Sequence, residues 1–131
     1  MQYFSRLSGY RPQALAALRI MTALLFIEHG TQKFFNFPPA EQPFGNLMSL
    51  IGVAGALEIV GGLLILVGLF TRPVAFVLCG FMAVAYFMAH APQSFFPINN
   101  GGDAAILFCF VFLYLTFAGP GAYALDDRAV R

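Results

Sequence analysis

A chain of 131 residues that is 60% hydrophobic and 10% charged cannot cover its apolar surface with polar groups, which excludes an ordinary soluble domain. Its net charge is +1 and no Lys/Arg cluster occurs, so it lacks the concentrated positive charge that nucleic-acid phosphates require. Residues 1–131 are read as a single membrane domain, all-α, folded as a four-transmembrane-helix bundle in contact with the lipid bilayer.

The first expected span covers residues 14–33, close to the ~20 helical residues that a ~30 Å hydrocarbon layer demands. Arg6 and Arg11 precede it, and Pro12 suits a first helical turn because its missing N–H would have no partner there. No small-residue cleavage pattern follows a short apolar core, so this segment is read as a retained helix. Phe34, Phe35, Phe37 and the pair Pro38-Pro39 then mark an aromatic outer end. The second span, 47–69, carries Glu58 between Gly55 and Gly61-Gly62, and Arg72 follows it. The third, 73–91, contains Cys79 and His90 and ends near Phe95-Phe96-Pro97. Asp103 is expected to cap the fourth, 104–119, in preference to an anion site at that helix start, with Gly101 and Gly102 making the turn. Gly119-Pro120-Gly121 terminates that helix and opens the tail. Arg6, Arg11, Arg72, Arg128 and Arg131 all flank one side of the spans. Lys33, Glu41 and Asp103 flank the other, so both termini are expected to be cytoplasmic.

A shift of 61 residues lays the first span on the third: Arg11-Pro12 on Arg72-Pro73, Ala14 on Ala75, Met21 on Met82, Phe26 on Phe87, His29 on His90, Gln32 on Gln93, and Phe34-Phe35 on Phe95-Phe96. Nine of 25 pairs match, where about two are expected by chance. The second and fourth spans show no comparable match. Since 61 residues contain one outward and one return helix, the two copies run in parallel. This internal pseudo-repeat would place His29 and His90 at one depth.

Arg19, Glu28, His29, Glu58 and His90 are costly in lipid and are therefore the candidate ligand-binding residues. At ~1.5 Å per residue, Arg19 stands ~10 Å above the inner end, Glu58 ~18 Å, Glu28 ~24 Å and both histidines ~26 Å. Arg19, Thr22, Phe26, His29 and Lys33 share one helical face, and Glu28 with Gln32 lies opposite. The long side chain of Arg19 and the glycines beside Glu58 predict a buried Arg19–Glu58 pair. Two histidines at one depth could ligate a metal or a haem. The carboxylates lack the Glu-x-x-His spacing of diiron bundles, however, so hydrogen-bonded imidazoles or a quinone carbonyl are the preferred readings. No catalytic residue is assigned. Cys79 and Cys109 are placed by counting in opposite halves of the membrane, which argues against a thiol relay and against a disulfide.

Leu18-Arg19, His29-Gly30 with Lys33-Phe34, Glu58 with Gly61-Gly62, Gly68-Leu69 with Thr71-Arg72, Met82, His90, Gly101-Gly102-Asp103 and Gly119-Pro120-Gly121 before Leu125-Asp126 together resemble the DoxX family of bacterial inner-membrane proteins. Asp103 stands where that family more often carries Glu. The resemblance implies four membrane helices and, for some relatives, a place in a redox system such as a thiosulfate:quinone oxidoreductase or a complex for thiol and superoxide stress. The expectation is a non-autonomous oxidoreductase subunit that binds quinone or a small ligand, assisted by a redox protein partner and open to homo-oligomerisation. The alternatives are a membrane scaffold or lipid-binding protein without chemistry, and a small transporter.

Overall fold

The computed structural model describes residues 1–42, 44–46 and 48–129. Leu47, where the second span was expected to begin, and Arg131, one of the arginines used for orientation, lie outside them. Among the described residues the regular structure is entirely helical. In chain order it comprises α1 (Gln2–Ser5), a 3-10 turn (Arg6–Tyr10), α2 (Arg11–Phe35), α3 (Leu50–Val67), α4 (Thr71–Ala89), α5 (Pro97–Asn100), α6 (Asp103–Ala118) and α7 (Asp126–Ala129). The segment Gln2–Phe35, α3 and α4 are each long and apolar enough to cross a membrane, and α6 is a shorter apolar helix. Large apolar side chains such as Leu24, Val53, Val60, Phe76, Val84, Leu107 and Phe110 stay exposed on these helices, as lipid contact requires.

The chain forms two compact units. The first contains residues 1–71 and the tail from Pro120 onward. Within it α2 buries Ala16, Arg19, Ala23, Phe26 and Gly30, a stripe of three- and four-residue steps, while α3 buries Gly52, Gly55, Glu58, Gly62 and Ile65. Three glycines fix the register between these helices. A Cβ at Gly62 would stand 2.5 Å from Ile27, one at Gly55 2.6 Å from Phe34, and one at Gly30 2.6 Å from Ile59 and 2.8 Å from the Gly55 carbonyl oxygen. Small residues are what let two backbones approach this closely in lipid, where dispersion contacts replace the hydrophobic effect. Ser49 starts α3 by accepting from the Ile51 N–H, and Gly68 ends it at φ 69°, a left-handed conformation that other residues adopt at a cost.

The tail returns to this first unit. Ala122 N–H donates to Pro12 O at 2.9 Å, Leu125 N–H to Val67 O at 3.0 Å, and Asp126 N–H to Gly68 O at 2.9 Å. The Asp126 carboxylate in turn accepts from Phe70 N–H at 2.7 Å and Thr71 N–H at 3.0 Å, which supplies the first turn of α4 with the acceptors it lacks. Burial works to raise the Asp126 carboxyl pKa, but the hydrogen bonds from Thr71 and Phe70, with the positive charge of Arg19, outweigh it and hold the group below the usual value. A carboxyl depressed in the folded state stabilises fully above its unfolded value of about 3.9 and loses that contribution as pH falls through the folded value. The tail contact is therefore expected to persist from neutral pH down to about pH 4 and to loosen below it. Limited proteolysis of the tail against pH measures this, and Asp126→Asn should flatten the acid-dependent part of the profile.

The second unit is Arg72–Gly119. Its buried positions again step by three and four: Ala75, Leu78 and Met82 on α4, and Ala105, Phe108, Phe112 and Leu115 on α6. Arg72 donates to the carbonyls of Thr116 and Phe117, so a cation satisfies the end of α6 where the helix dipole is negative. Asp103 is not the cap of α6, as the sequence suggested. Gly102 holds that position and Asp103 is the first helical residue, without a side-chain capping bond. Asn100 secures the turn instead: its Oδ1 accepts from Gly102 N–H at 2.8 Å, and its Nδ2 donates to Ser94 O at 3.0 Å and Tyr86 Oη at 3.1 Å. The carboxylate of Asp103 still complements the N-terminal end of the helix through its charge.

Candidate functional site

Glu58 meets Lys33, not Arg19. Lys33 Nζ lies 2.9 Å from both carboxylate oxygens, with side-chain exposures of 15% for the lysine and 8% for the glutamate. The expected Arg19–Glu58 pair is therefore overturned, and helix register is the reason. Gly30, Lys33 and Phe34 face the Gly55–Ile59 segment of α3. Arg19, three to four turns earlier on α2, reaches the opposite end of α3, where a Cβ at Gly68 would be 3.3 Å from its Cζ. Gly68 lies ten residues past Glu58, so ~15 Å of helix separates guanidinium from carboxylate, beyond the reach of one side chain. Lys33 was read as an outer flanking charge, yet it belongs to α2 and shares the face of Arg19 and Phe26. That stripe was the available signal for its role. Phe44 adds a ring whose centroid is 5.4 Å from Nζ, and the His29 carbonyl lies 3.4 Å from the same nitrogen.

The remaining nominated residues are distributed. Arg19 is fully buried, and its guanidinium is bound by backbone: Nη1 donates to Pro120 O and, at 3.0 Å, to Ala122 O, while Nη2 donates to Tyr123 O at 3.0 Å. Glu28 and His29 are exposed residues of α2. His90, in the second unit, is half-buried, with Nδ1 3.0 Å from Asn100 O and its ring stacked on Tyr86 at 6.3 Å between centroids. The histidines are not equivalent in their surroundings. The N–H groups of both His90 and Ala91 bond to Tyr86 O, which ends α4 at Ala89 and puts His90 into a turn, whereas α2 continues through His29 to Phe35. Among the described residues no three His, Cys, Asp or Glu side chains gather as a metal site.

The cysteines also depart from expectation. Cys79 and Cys109 do not lie in opposite halves of the membrane: their sulfurs are 3.7 Å apart. Helix length accounts for the error. α6 has only 16 residues, so Cys109 stands nine residues above Ala118, ~13.5 Å, while Cys79 stands eight above Thr71, ~12 Å. Arg72 ties the start of α4 to the end of α6, and the sulfurs come level.

The arrangement thus offers one accessible buried ion pair, Lys33–Glu58, one closed cation cradle at Arg19, and one hydrogen-bonded cap around Asn100 and His90. The DoxX family model matches residues 14–91. A Haemophilus influenzae protein of uncharacterized function is 48% identical over 131 aligned positions, covering 95% of this chain and 96% of that protein. The inner membrane protein YphA of Escherichia coli is 29% identical, with 98% of each chain covered. The membrane protein Rv3486 of Mycobacterium tuberculosis is 30% identical across 89% of this chain and 82% of its own. No solved structure matches the chain. With the family model spanning more than half of its length and membrane relatives aligned along most of the rest, this chain belongs to the DoxX family of membrane proteins.

Proposed function

We propose that the chain is an integral inner-membrane subunit of an oxidoreductase system and that it holds the carbonyl head of a quinone, or of a similar small ligand, at Lys33 and Glu58. The observation that carries this reading is the ion pair itself. An ammonium and a carboxylate kept within an apolar hairpin are expensive, and Lys33 remains partly accessible. Lys33 has three N–H donors, which serve the two Glu58 oxygens and, at 3.4 Å, the His29 carbonyl, so an acceptor oxygen can compete with that long contact. Glu58 is placed to exchange a proton with the bound head group, while His29 and Glu28 lie on the same outer part of α2. Arg19 and His90 lie outside the site in this reading, because each is already engaged within its own unit, Arg19 by the tail carbonyls and His90 by Asn100 O. Electrons would come from a protein partner or from a second group in this chain.

Both termini are proposed to be cytoplasmic, with Asn99 outside. An impermeant thiol reagent applied to intact cells should label Asn99→Cys and spare Ser5→Cys in a chain lacking its native cysteines; the reverse pattern would invert the topology. Decylubiquinone bound per purified chain tests the site. Wild type should retain it, and Lys33→Met should weaken retention at least about tenfold, the loss of one charge-assisted hydrogen bond. Equal retention by the two proteins would remove Lys33 from the site.

A second reading, a membrane scaffold without chemistry, is favoured by the Arg19 cradle. There every contact of the charged group serves the fold. Under that reading wild type and Lys33→Met bind no quinone and differ only in stability.

A further inference from the structure

The chain's two cysteines, Cys79 on α4 and Cys109 on α6, are both free and half-buried, with their sulfurs in van der Waals contact at 3.7 Å. Cys109 Sγ also stands 3.5 Å from the Cys79 carbonyl oxygen, so its S–H can donate there while its lone pairs receive the Cys79 thiol. Closing a disulfide would bring the sulfurs to about 2.05 Å. Since the helices already set both residues at one height, side-chain movement is the main adjustment needed.

We propose that Cys79 and Cys109 form a redox-active dithiol that passes two electrons to a membrane-soluble acceptor of the quinone class and closes to a disulfide joining α4 to α6. The surroundings select this chemistry over metal binding. A dithiolate metal site would bury negative charge in an apolar span, and among the described residues no third ligand of the His, Cys, Asp or Glu type joins the pair. The dithiol and the disulfide are both uncharged, so either end state suits that environment. In the step, both S–H bonds break and one S–S bond forms. Each sulfur loses one electron, and the two electrons leave with two protons to convert quinone to quinol, which leaves no net charge behind. An acceptor dissolved in the bilayer is required because both sulfurs lie midway along apolar helices. The proposal rests on the sulfur geometry and not on quinone being held at Lys33 and Glu58.

The test uses the full chain in phospholipid nanodiscs, reduced, freed of reductant under anaerobic conditions and given one equivalent of decylubiquinone. Free thiols, counted by maleimide-polyethylene glycol gel shift, should fall from two per chain to none. The chain should stay monomeric on a non-reducing gel, lose the mass of two hydrogens, and yield one quinol. Cys79→Ser and Cys109→Ser should each keep their remaining thiol and yield no quinol. Diamide, a disulfide-forming oxidant, serves as a second arm. Closure with diamide but not with quinone would overturn the acceptor class. Two free thiols after both treatments, or a disulfide-linked dimer, would overturn the pair itself. Quinone retention and dithiol oxidation are read separately on wild type: loss of both thiols without retained quinone keeps this proposal and removes the Lys33–Glu58 site, and retained quinone with two free thiols does the reverse.

Discussion

Lys33→Met should destabilise the first hairpin by about 3–5 kcal/mol, because Glu58 would be left as an uncompensated charge in a buried position. Glu58→Leu should cost less. Lys33 lies in the last turn of α2 and its long stem can carry the ammonium to the interface, whereas Glu58 sits mid-helix, beside Gly30 and Ile59, on a short side chain. The double variant Lys33→Met/Glu58→Leu should recover much of the loss, since apolar replacement of a whole buried pair is often neutral. Thermal unfolding of all four proteins in one detergent measures the coupling. Additive losses from the two single variants would mean that the 2.9 Å contact contributes no interaction energy.

Arg19→Met should release the tail from the first unit, at a cost of about 3 kcal/mol. Three backbone carbonyls, those of Pro120, Ala122 and Tyr123, lose their donor. Hydrogen bonds to a charged group contribute about 1.5–3 kcal/mol each, and water entering beside the tail would restore part of that. Arg19→Lys should be intermediate, because an ammonium cannot reproduce the planar fork that reaches carbonyls on both Nη1 and Nη2. Protease cleavage between Pro120 and Arg128, read alongside thermal stability, checks the result. A tail as protected in Arg19→Met as in wild type would show that the bonds made by Ala122, Leu125 and Asp126 hold it without the guanidinium.

The chain alone determined that it is helical and embedded in a membrane, because apolar runs of near-bilayer length admit few other solutions once every backbone polar group must be satisfied internally. Arg11-Pro12 and Arg72-Pro73, which the sequence aligned, stand in the first turns of α2 and α4, one helix in each compact unit. The cost of burying charge correctly singled out Arg19 and Glu58 as groups needing partners.

Which partners they took was decided only by tertiary structure. Depth counted along a helix gives height but not register, and register here depends on three close approaches, at Gly30, Gly55 and Gly62, that slide α3 along α2 until Glu58 is level with Lys33. The partner of Arg19 was beyond any count of charges, since it consists of main-chain carbonyls presented by a turn about a hundred residues away. Cys79 and Cys109 show the same principle. Their distance apart depends on a short fourth helix and on the Arg72 anchor at its end, and composition records neither. A sequence states which groups cannot be left alone in lipid; packing at the level of a single glycine settles what each one meets.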